Sequence, residues 1–235
     1  MKRVKEILAQ QNIDIRESAI EKMEKYMDEI LKLNAEINLT AITDRDEFIE
    51  KHFVDSLLAA GLPEFAGAAR ILDIGTGAGF PGIPLALAFE DKEFVLADSL
   101  NKRVKIIESL CEKLGIGNVK AVHGRAEDLA KRGEYRESFD ICVSRAVAGM
   151  STLSEYCLPF VKPGGIFVAY KGPDCEEEVA QAAKAIDLLG GGDVKILSPQ
   201  SGEASFDHRL VIVRKVANTP SAYPRKAGTP KKDPL

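Results

Sequence analysis

Two stretches of the chain combine residue types and spacing suited to gripping a nucleoside. Residues 73–79, Asp73-Ile-Gly-Thr-Gly-Ala-Gly79, place an acid and three glycines directly after the apolar run Ala69-Arg70-Ile71-Leu72. Glycine has no Cβ and adopts positive φ readily, so such a loop turns sharply and lets a flat, polar ligand approach the backbone. The second stretch, Glu93-Phe94-Val95-Leu96-Ala97-Asp98, is a short apolar run ending in a carboxylate 23 residues after Gly75. That is the distance at which the acid of a βαβ unit accepts hydrogen bonds from ribose hydroxyls. Ser99 and Leu100 follow it directly.

Two cofactor classes use a loop of this kind, and the spacing separates them. A dinucleotide fingerprint reads G-x-G-x-x-G, its pyrophosphate resting on the N-terminus of the following helix. Here the third glycine comes one residue early, at Gly79, and Phe80 fills the dinucleotide position. The pattern Asp73-x-Gly75-x-Gly77-x-Gly79 resembles the S-adenosylmethionine (AdoMet) loop of class I methyltransferases, in which no pyrophosphate has to be held. Asp98 alone would suit either nucleoside. In methyltransferases the loop after the third strand meets the adenine, through a backbone N–H and an acid or carbonyl. The corresponding residues here follow Asn118-Val119-Lys120-Ala121-Val122, and Ala126 and Glu127 are the expected pair, with Asp128 the alternative. Glu127 and Asp128 would also favour a helix N-terminus through the helix dipole.

These residues need a scaffold that brings strand ends together. From residue 69 to 172 apolar strand patterns alternate with helical ones, which predicts a parallel sheet with ligands at the carboxyl ends of its strands. Asp73, Asp98, Ala126, Arg145 and Lys171 all fall at such ends. The helix Asn101 to Leu114 should stop at Gly115, and the turn Lys162-Pro163-Gly164-Gly165 should precede a fifth strand, Ile166 to Tyr170. Residues 173–217 supply one helix, Glu176 to Leu189, and two strands, Val194 to Leu197 and Leu210 to Arg214, which invite antiparallel closure of the sheet. Residues 1–61 read as a helical extension: Ser18-Ala-Ile-Glu21 matches a capping box, Ile20, Met23, Met27, Ile30 and Leu31 recur at helical spacing, and Asn38 to Ile42 interrupts the pattern before a second helix, Asp46 to Ala60. The division expected is a helical extension at 1–61, a catalytic domain at 62–217 and a basic, proline-rich tail at 218–235, too polar to form a core of its own.

Composition narrows the class further. Apolar residues make up 45% and charged residues 29% of the 235-residue chain, values of an ordinary globular protein rather than a disordered one. Nothing approaches the length of a membrane span, and the basic N-terminus leads to no apolar signal core, so the cytoplasm is expected. Cys111, Cys142, Cys157 and Cys175 lack the spacing and histidine partners of a zinc site, and no metal is expected. There is no Pro-Cys nucleophile and no Asn/Asp-Pro-Pro-aromatic station for methylating an exocyclic amine. Charge is localised: in residues 209–235 seven cations stand against Asp233 alone, a net +6 in a chain of net −4. A basic arm beside a nucleoside site suits a polyphosphate substrate, and Arg225, Lys226, Lys231 and Lys232, with Lys171, are the RNA-binding candidates. A solubilising tail is the alternative.

Taken together, Asn38-Leu39-Thr40-Ala41-Ile42, His52-Phe-Val-Asp55-Ser56, Asp73 to Pro84, Ser144-Arg145-Ala146, Tyr170-Lys171-Gly172 and the tail Tyr223-Pro-Arg-Lys-Ala-Gly-Thr-Pro230 resemble the RsmG (glucose-inhibited division protein B) family. These are bacterial AdoMet-dependent methyltransferases of small-subunit ribosomal RNA. The resemblance implies an α/β class I methyltransferase (Rossmann-like) fold, a doubly wound, seven-stranded, mostly parallel sheet with an N-terminal helical extension. It implies N7 methylation of one guanine in 16S rRNA, either as RNA or in a small-subunit particle. The cofactor positions it implies are Gly75, Phe80, Asp98, Ser99, Leu100, Ala126, Glu127 and Arg145, beside Asp73 and Gly77 from the loop itself. Lys51 stands where the family pattern would have an arginine. Guanine N7 carries a lone pair and no proton, so proximity and orientation could supply most of the acceleration without a general base. An arginine bidentate to guanine O6 and N7 would cover the atom to be methylated. Two other classes stay open on the residues alone: a NAD-dependent dehydrogenase, which shares the sheet and Asp98, and a non-catalytic RNA-binding or assembly factor, which shares the tail.

Overall fold

The computed structural model describes residues 1–10, 13–198, 200–201, 204–205 and 208–235. Seven strands form one sheet: β1 (Arg70–Ile74), β2 (Glu93–Asp98), β3 (Val119–His123), β4 (Phe139–Arg145), β5 (Val161–Lys171), β6 (Gly191–Leu197) and β7 (Arg209–Lys215). Their spatial order is β3-β2-β1-β4-β5-β7-β6. The first five run parallel, and β7 enters antiparallel between β5 and β6. The order reverses beside β1, which opens a crevice at the carboxyl ends of β1, β2 and β4.

Side-chain alternation explains the layering. Ile71, Phe94 and Leu96 point to one face of the sheet, where they join Tyr26, Phe48, Phe80 and Ile107 in a core. Leu72, Val95 and Ala97 point to the other, against Met150, Leu153, Val179 and Ile186. Successive strand residues face opposite sides, so apolar runs such as Phe94 to Ala97 feed both cores at once. The helix Gly82–Ala88, Gly-Ile-Pro-Leu-Ala-Leu-Ala, is buried over its first six residues, which is why its sequence shows no polar face.

The helices differ in detail from the sequence expectation. Glu17–Ile37 starts one residue before Ser18, with Arg16 as N-cap and no side-chain cap, so the capping box is not formed: Ser18 already lies inside the first turn. Its end follows the sequence, with Asn38 in the left-handed region at φ 45°, a conformation asparagine tolerates better than most residues. A further helix, Lys2–Gln10, precedes it. The segment 45–61 is not one regular helix. It passes from α (Arg45–Phe48) through a π turn (Ile49–Val54) to α (Asp55–Leu57) and 3₁₀ (Leu58–Gly61). Glu176 to Leu189 splits at Ala182 into Glu176–Gln181 and Ala183–Leu188. The helix Asn101–Leu114 ends at Gly115 as expected, φ 64°.

The tail departs most. Residues 218–235 lie along the helix Met150–Cys157, with Pro224 and Pro230 buried and the Thr152 hydroxyl donating to Pro230 O at 3.0 Å. Arg136 adds three anchors, to Tyr223 O, Thr219 O and Pro220 O. The segment forms no core of its own but borrows one, because the underlying helix carries a buried carboxylate, Glu155, that a tail cation satisfies.

Candidate functional site

β1 delivers Asp73 and the glycine loop to the crevice. Gly75, Gly77 and Gly79 all have positive φ, +73°, +61° and +90°. They are glycines for different reasons. A Cβ at Gly79 would lie 2.5 Å from the Tyr26 hydroxyl, and one at Gly75 would lie 2.4 Å from Val147 Cγ2. At Gly77 nothing stands closer than 4.0 Å, so the space a side chain would fill is open to a ligand. The N-terminal extension braces the loop: Tyr26 donates to Ala78 O at 2.9 Å and its ring meets Phe80 edge-on.

Asp98, at the end of β2, is 4% exposed. Its Oδ2 accepts the Gly77 N–H at 3.0 Å and its Oδ1 the Leu100 N–H at 2.8 Å. Arg103 Nη1 also lies 3.5 Å from Oδ2; a carboxylate offers about four acceptor sites, so Oδ1 keeps capacity for a hydroxyl. Asp73 is 1% exposed. Its Oδ2 accepts the Gly82 N–H at 2.9 Å, while Oδ1 and the nearby Thr76 Oγ1 are buried without a partner. Burial pushes the Asp73 carboxyl up to about 6, against the pull of the nearby Thr76 hydroxyl, the Gly82 N–H and the Arg145 charge.

Two cavities meet at Gly75. The smaller, about 110 Å³, is lined by Asp98, Ser99, Ala126, Glu127 and Tyr156. Leu100, 53% exposed, lies outside that lining and contributes its backbone N–H to Asp98. The larger, about 360 Å³, is lined by Thr40, His52, Gly77, Phe80, Arg145 and His208. The sequence-derived positions therefore divide: Asp98, Ser99, Ala126 and Glu127 line the first, Gly77, Phe80 and Arg145 the second, Gly75 both, and Asp73 neither. Ala126 and Glu127 open a short helix, Ala126–Leu129, as the helix-N-terminus reading expects, and both line the smaller cavity.

Around Phe80 and Arg145 the structure gathers His52, Thr40, Asp55 and His208, which were missing from the site residues inferred from sequence. His52 stacks on Phe80, centroids 4.4 Å apart and planes 6° from parallel. Its Nε2 is 2.8 Å from Thr40 Oγ1 and its Nδ1 3.1 Å from Arg145 Nη2. Arg145 also donates to Asp55 Oδ2 at 2.7 Å and to Lys51 O at 2.9 Å, and Asp55 Oδ1 holds His208 Nδ1 at 2.8 Å. Since a guanidinium only donates, Nδ1 of His52 accepts and Nε2 bears the proton toward Thr40. Burial, with the Arg145 charge, lowers His52 to about 3, so it stays neutral at physiological pH. Arg145 thus orders the His52 ring and the 45–61 segment. The Ser144-Arg145-Ala146 and His52 to Asp55 motifs were the available signal; nothing local to His208 marked it.

The RNA candidates are placed unequally. Lys226, Lys231 and Lys232 are exposed. Arg225 makes a forked pair with Glu155, Nη2 to Oε2 at 2.7 Å and Nε to Oε1 at 3.0 Å. Lys171 is bound to Glu178 at 2.7 Å and to Ala148 O. Both cations are already satisfied inside the protein, which leaves the three lysines as the tail charges directed to solvent. The four cysteines are buried thiols. Among the described residues no group of three or more His, Cys, Asp or Glu could hold a metal, and no helix is long and apolar enough to cross a membrane.

Gly77→Val follows directly from this geometry. Its side chain would enter the open space over the loop at φ +61°, while the left-handed backbone costs about 1–2 kcal/mol. A folded protein with nucleoside-cofactor affinity at least about tenfold weaker is expected by calorimetry, the equivalent of about 1.4 kcal/mol; unchanged affinity would refute the loop's role.

The chain is similar to known proteins in sequence and in fold. The family profile of rRNA small subunit methyltransferase G matches residues 19–206. The ribosomal RNA small subunit methyltransferase G of Clostridium tetani is 49% identical over 211 residues, covering 90% of this chain and 88% of that protein. Its counterpart in Clostridium novyi is 46% identical over 230 residues, covering 97% and 95%. Among solved structures, an O-methyltransferase from Bacillus cereus in complex with SAH superimposes with a TM-score of 0.56 at 21% identity, over 81% of this chain and 91% of that one. An S-adenosylmethionine-dependent O-methyltransferase from Thermotoga maritima gives 0.55 at 18% identity, over 83% and 72%. At these identities the structural likeness concerns the fold.

Proposed function

The chain belongs to the rRNA small subunit methyltransferase G family, and from that premise we propose that it transfers the methyl group of AdoMet to N7 of one guanine in 16S rRNA. The observation that carries this reading is the pair of cavities joined at Gly75, one lined by Asp98 and the Ala126–Glu127 corner, the other by Phe80, His52 and Arg145. The larger lies within the roughly 300–1,000 Å³ of ordinary ligand sites.

The residues fit the cofactor. Asp98 Oδ1 has acceptor capacity for a ribose hydroxyl, Ala126 and Glu127 supply a backbone donor and a carboxylate for the adenine edge, and the bare Gly77 backbone lets the ligand lie close. AdoMet supplies an electrophilic methyl on a sulfonium. Asp73 lines neither cavity but adds a buried carboxylate beneath the glycine loop, whose charge favours a cationic ligand. Guanine N7 has no proton to lose, so no base is required, and His52 is not poised as one: both its ring nitrogens are engaged and it is lowered to about 3. The protein's task is to position the purine near Phe80 and His52, while Asp55 neutralises Arg145 beside it. Small-subunit rRNA is the substrate, met as RNA or in an assembling particle, and the cytoplasm is where both occur.

The decisive experiment is transfer of labelled methyl from AdoMet to 16S rRNA and to small-subunit particles, followed by nucleoside analysis. Label in 7-methylguanosine is expected. Label in another nucleoside would overturn the N7 assignment, and no transfer to either substrate would favour a non-catalytic RNA-binding role.

Two further expectations arise here. Because the Asp73 carboxyl is pushed up to about 6, a cationic ligand that favours its ionised form must displace a proton below that pH. AdoMet affinity should therefore weaken as pH falls through about 6, by up to about tenfold at pH ~5 if binding restores an ordinary carboxyl pKa. Asp73→Asn should lose that component of the pH profile, and a profile identical to the parent's would refute it. For the tail, each phosphate contact contributes roughly 0.7–0.9 to the slope of log affinity against log salt. Changing Lys226, Lys231 and Lys232 to alanine should flatten the slope for RNA by up to about 2–3 while leaving AdoMet affinity intact. Equal slopes would place the RNA surface elsewhere.

A further inference from the structure

Glu127 is 3% exposed, and its Oε1 accepts the backbone N–H of Gly228, 101 residues later, at 2.7 Å. The donor belongs to the tail, and the tail is held: Arg225 on Glu155, Pro230 O on the Thr152 hydroxyl, Tyr223 O on Arg136. Gly228 itself has φ +85° with nothing within 4 Å of a built Cβ, so the glycine is there for backbone direction and not for lack of room. No other donor engages Glu127 among the described hydrogen bonds. One oxygen is committed to the tail, and the side chain lines the smaller cavity.

We propose that the C-terminal segment is part of the adenosine site: Gly228 fixes the Glu127 carboxylate so that Oε2 is presented to the purine's exocyclic amine, making the tail a determinant of adenine recognition. This rests on the reading of the smaller cavity as the adenosine site. Gly228 is a positioning residue, acting through Glu127 and not on the ligand. The chemistry is directional. A carboxylate accepts at either oxygen, but an amide accepts only at one. In Glu127→Gln the amide oxygen must stay on the Gly228 N–H, since its NH₂ there would set donor against donor. The NH₂ is then forced toward the purine amine.

The test compares, by calorimetry on the full chain, S-adenosylhomocysteine with its purine analogue lacking the 6-amino group. The parent should prefer the adenine compound by about tenfold or more, the size of a hydrogen bond to a charged acceptor. Glu127→Gln should abolish or invert that preference. If Glu127→Gln keeps the adenine preference, the amide has turned freely and the tail does not orient it, which overturns the proposal. If the parent shows no preference, the adenine role of Glu127 fails, and the proposal with it; the two failures are thus distinct. Gly228→Val places a β-branched residue at a φ such residues avoid. It should weaken the adenine compound severalfold and leave the purine analogue unchanged, whereas a full parental preference in that variant would also overturn the proposal.

Discussion

Arg225→Ala is expected to lower the stability of the protein by about 3–5 kcal/mol, the usual cost of stripping the partner from a buried charge. Glu155 is 0% exposed and its carboxylate takes the Arg225 Nε, Nη2 and backbone N–H. Removing the guanidinium leaves a carboxylate in the core with one backbone donor. For a chain of this size the loss corresponds to a fall in Tm of about 6–20 °C. Lys226→Ala, one residue along and exposed, serves as the control and should melt like the parent. A parental Tm for Arg225→Ala would mean that Glu155 is solvated or neutral and that the tail is not a structural element.

Asp98→Asn carries the largest expected effect on ligand binding. The carboxylate accepts from Gly77 and Leu100 on its two oxygens. An amide has one acceptor oxygen, so the substitution sets its NH₂ against one of these N–H groups and removes a charge-assisted acceptor for the ribose. A hydrogen bond to a charged group contributes about 1.5–3 kcal/mol, or roughly tenfold to a hundredfold in AdoMet affinity. Calorimetry of parent and variant, with thermal melting to confirm folding, reads the effect. A folded Asp98→Asn variant that binds AdoMet as the parent does would remove Asp98 from the site.

The parts legible in the sequence were those with a local physical signature. Short continuous apolar runs located every main strand, glycine spacing located the turn after β1, and Asn38 and Gly115 ended their helices where φ becomes positive. What stayed hidden depends on pairs far apart in the chain. Arg145 and Asp55 are separated by 90 residues, Asp55 and His208 by 153, Arg225 and Glu155 by 70. Glu155, in Ser-Glu-Tyr-Cys, reads like a surface acid until the tail covers it. The tail's polarity pointed to a solvated arm because its cations suggest RNA equally whether they face water or a buried carboxylate. The irregular turn at Ile49–Val54 likewise has no local marker; its carbonyls and side chains are arranged by Arg145 reaching in from β4.

The anchorage of residues 223–230 also gives the two cavities different vulnerability to a cut in the chain. Every described residue lining the larger cavity precedes β7, with His208 the last, whereas the Gly228 contact to Glu127 and the Arg225 cover for Glu155 come from beyond it. Proteolysis that freed this segment would leave all seven strands intact but would uncover a buried acid and unbrace Glu127. The smaller cavity would therefore lose its order first, while the larger kept every residue that lines it.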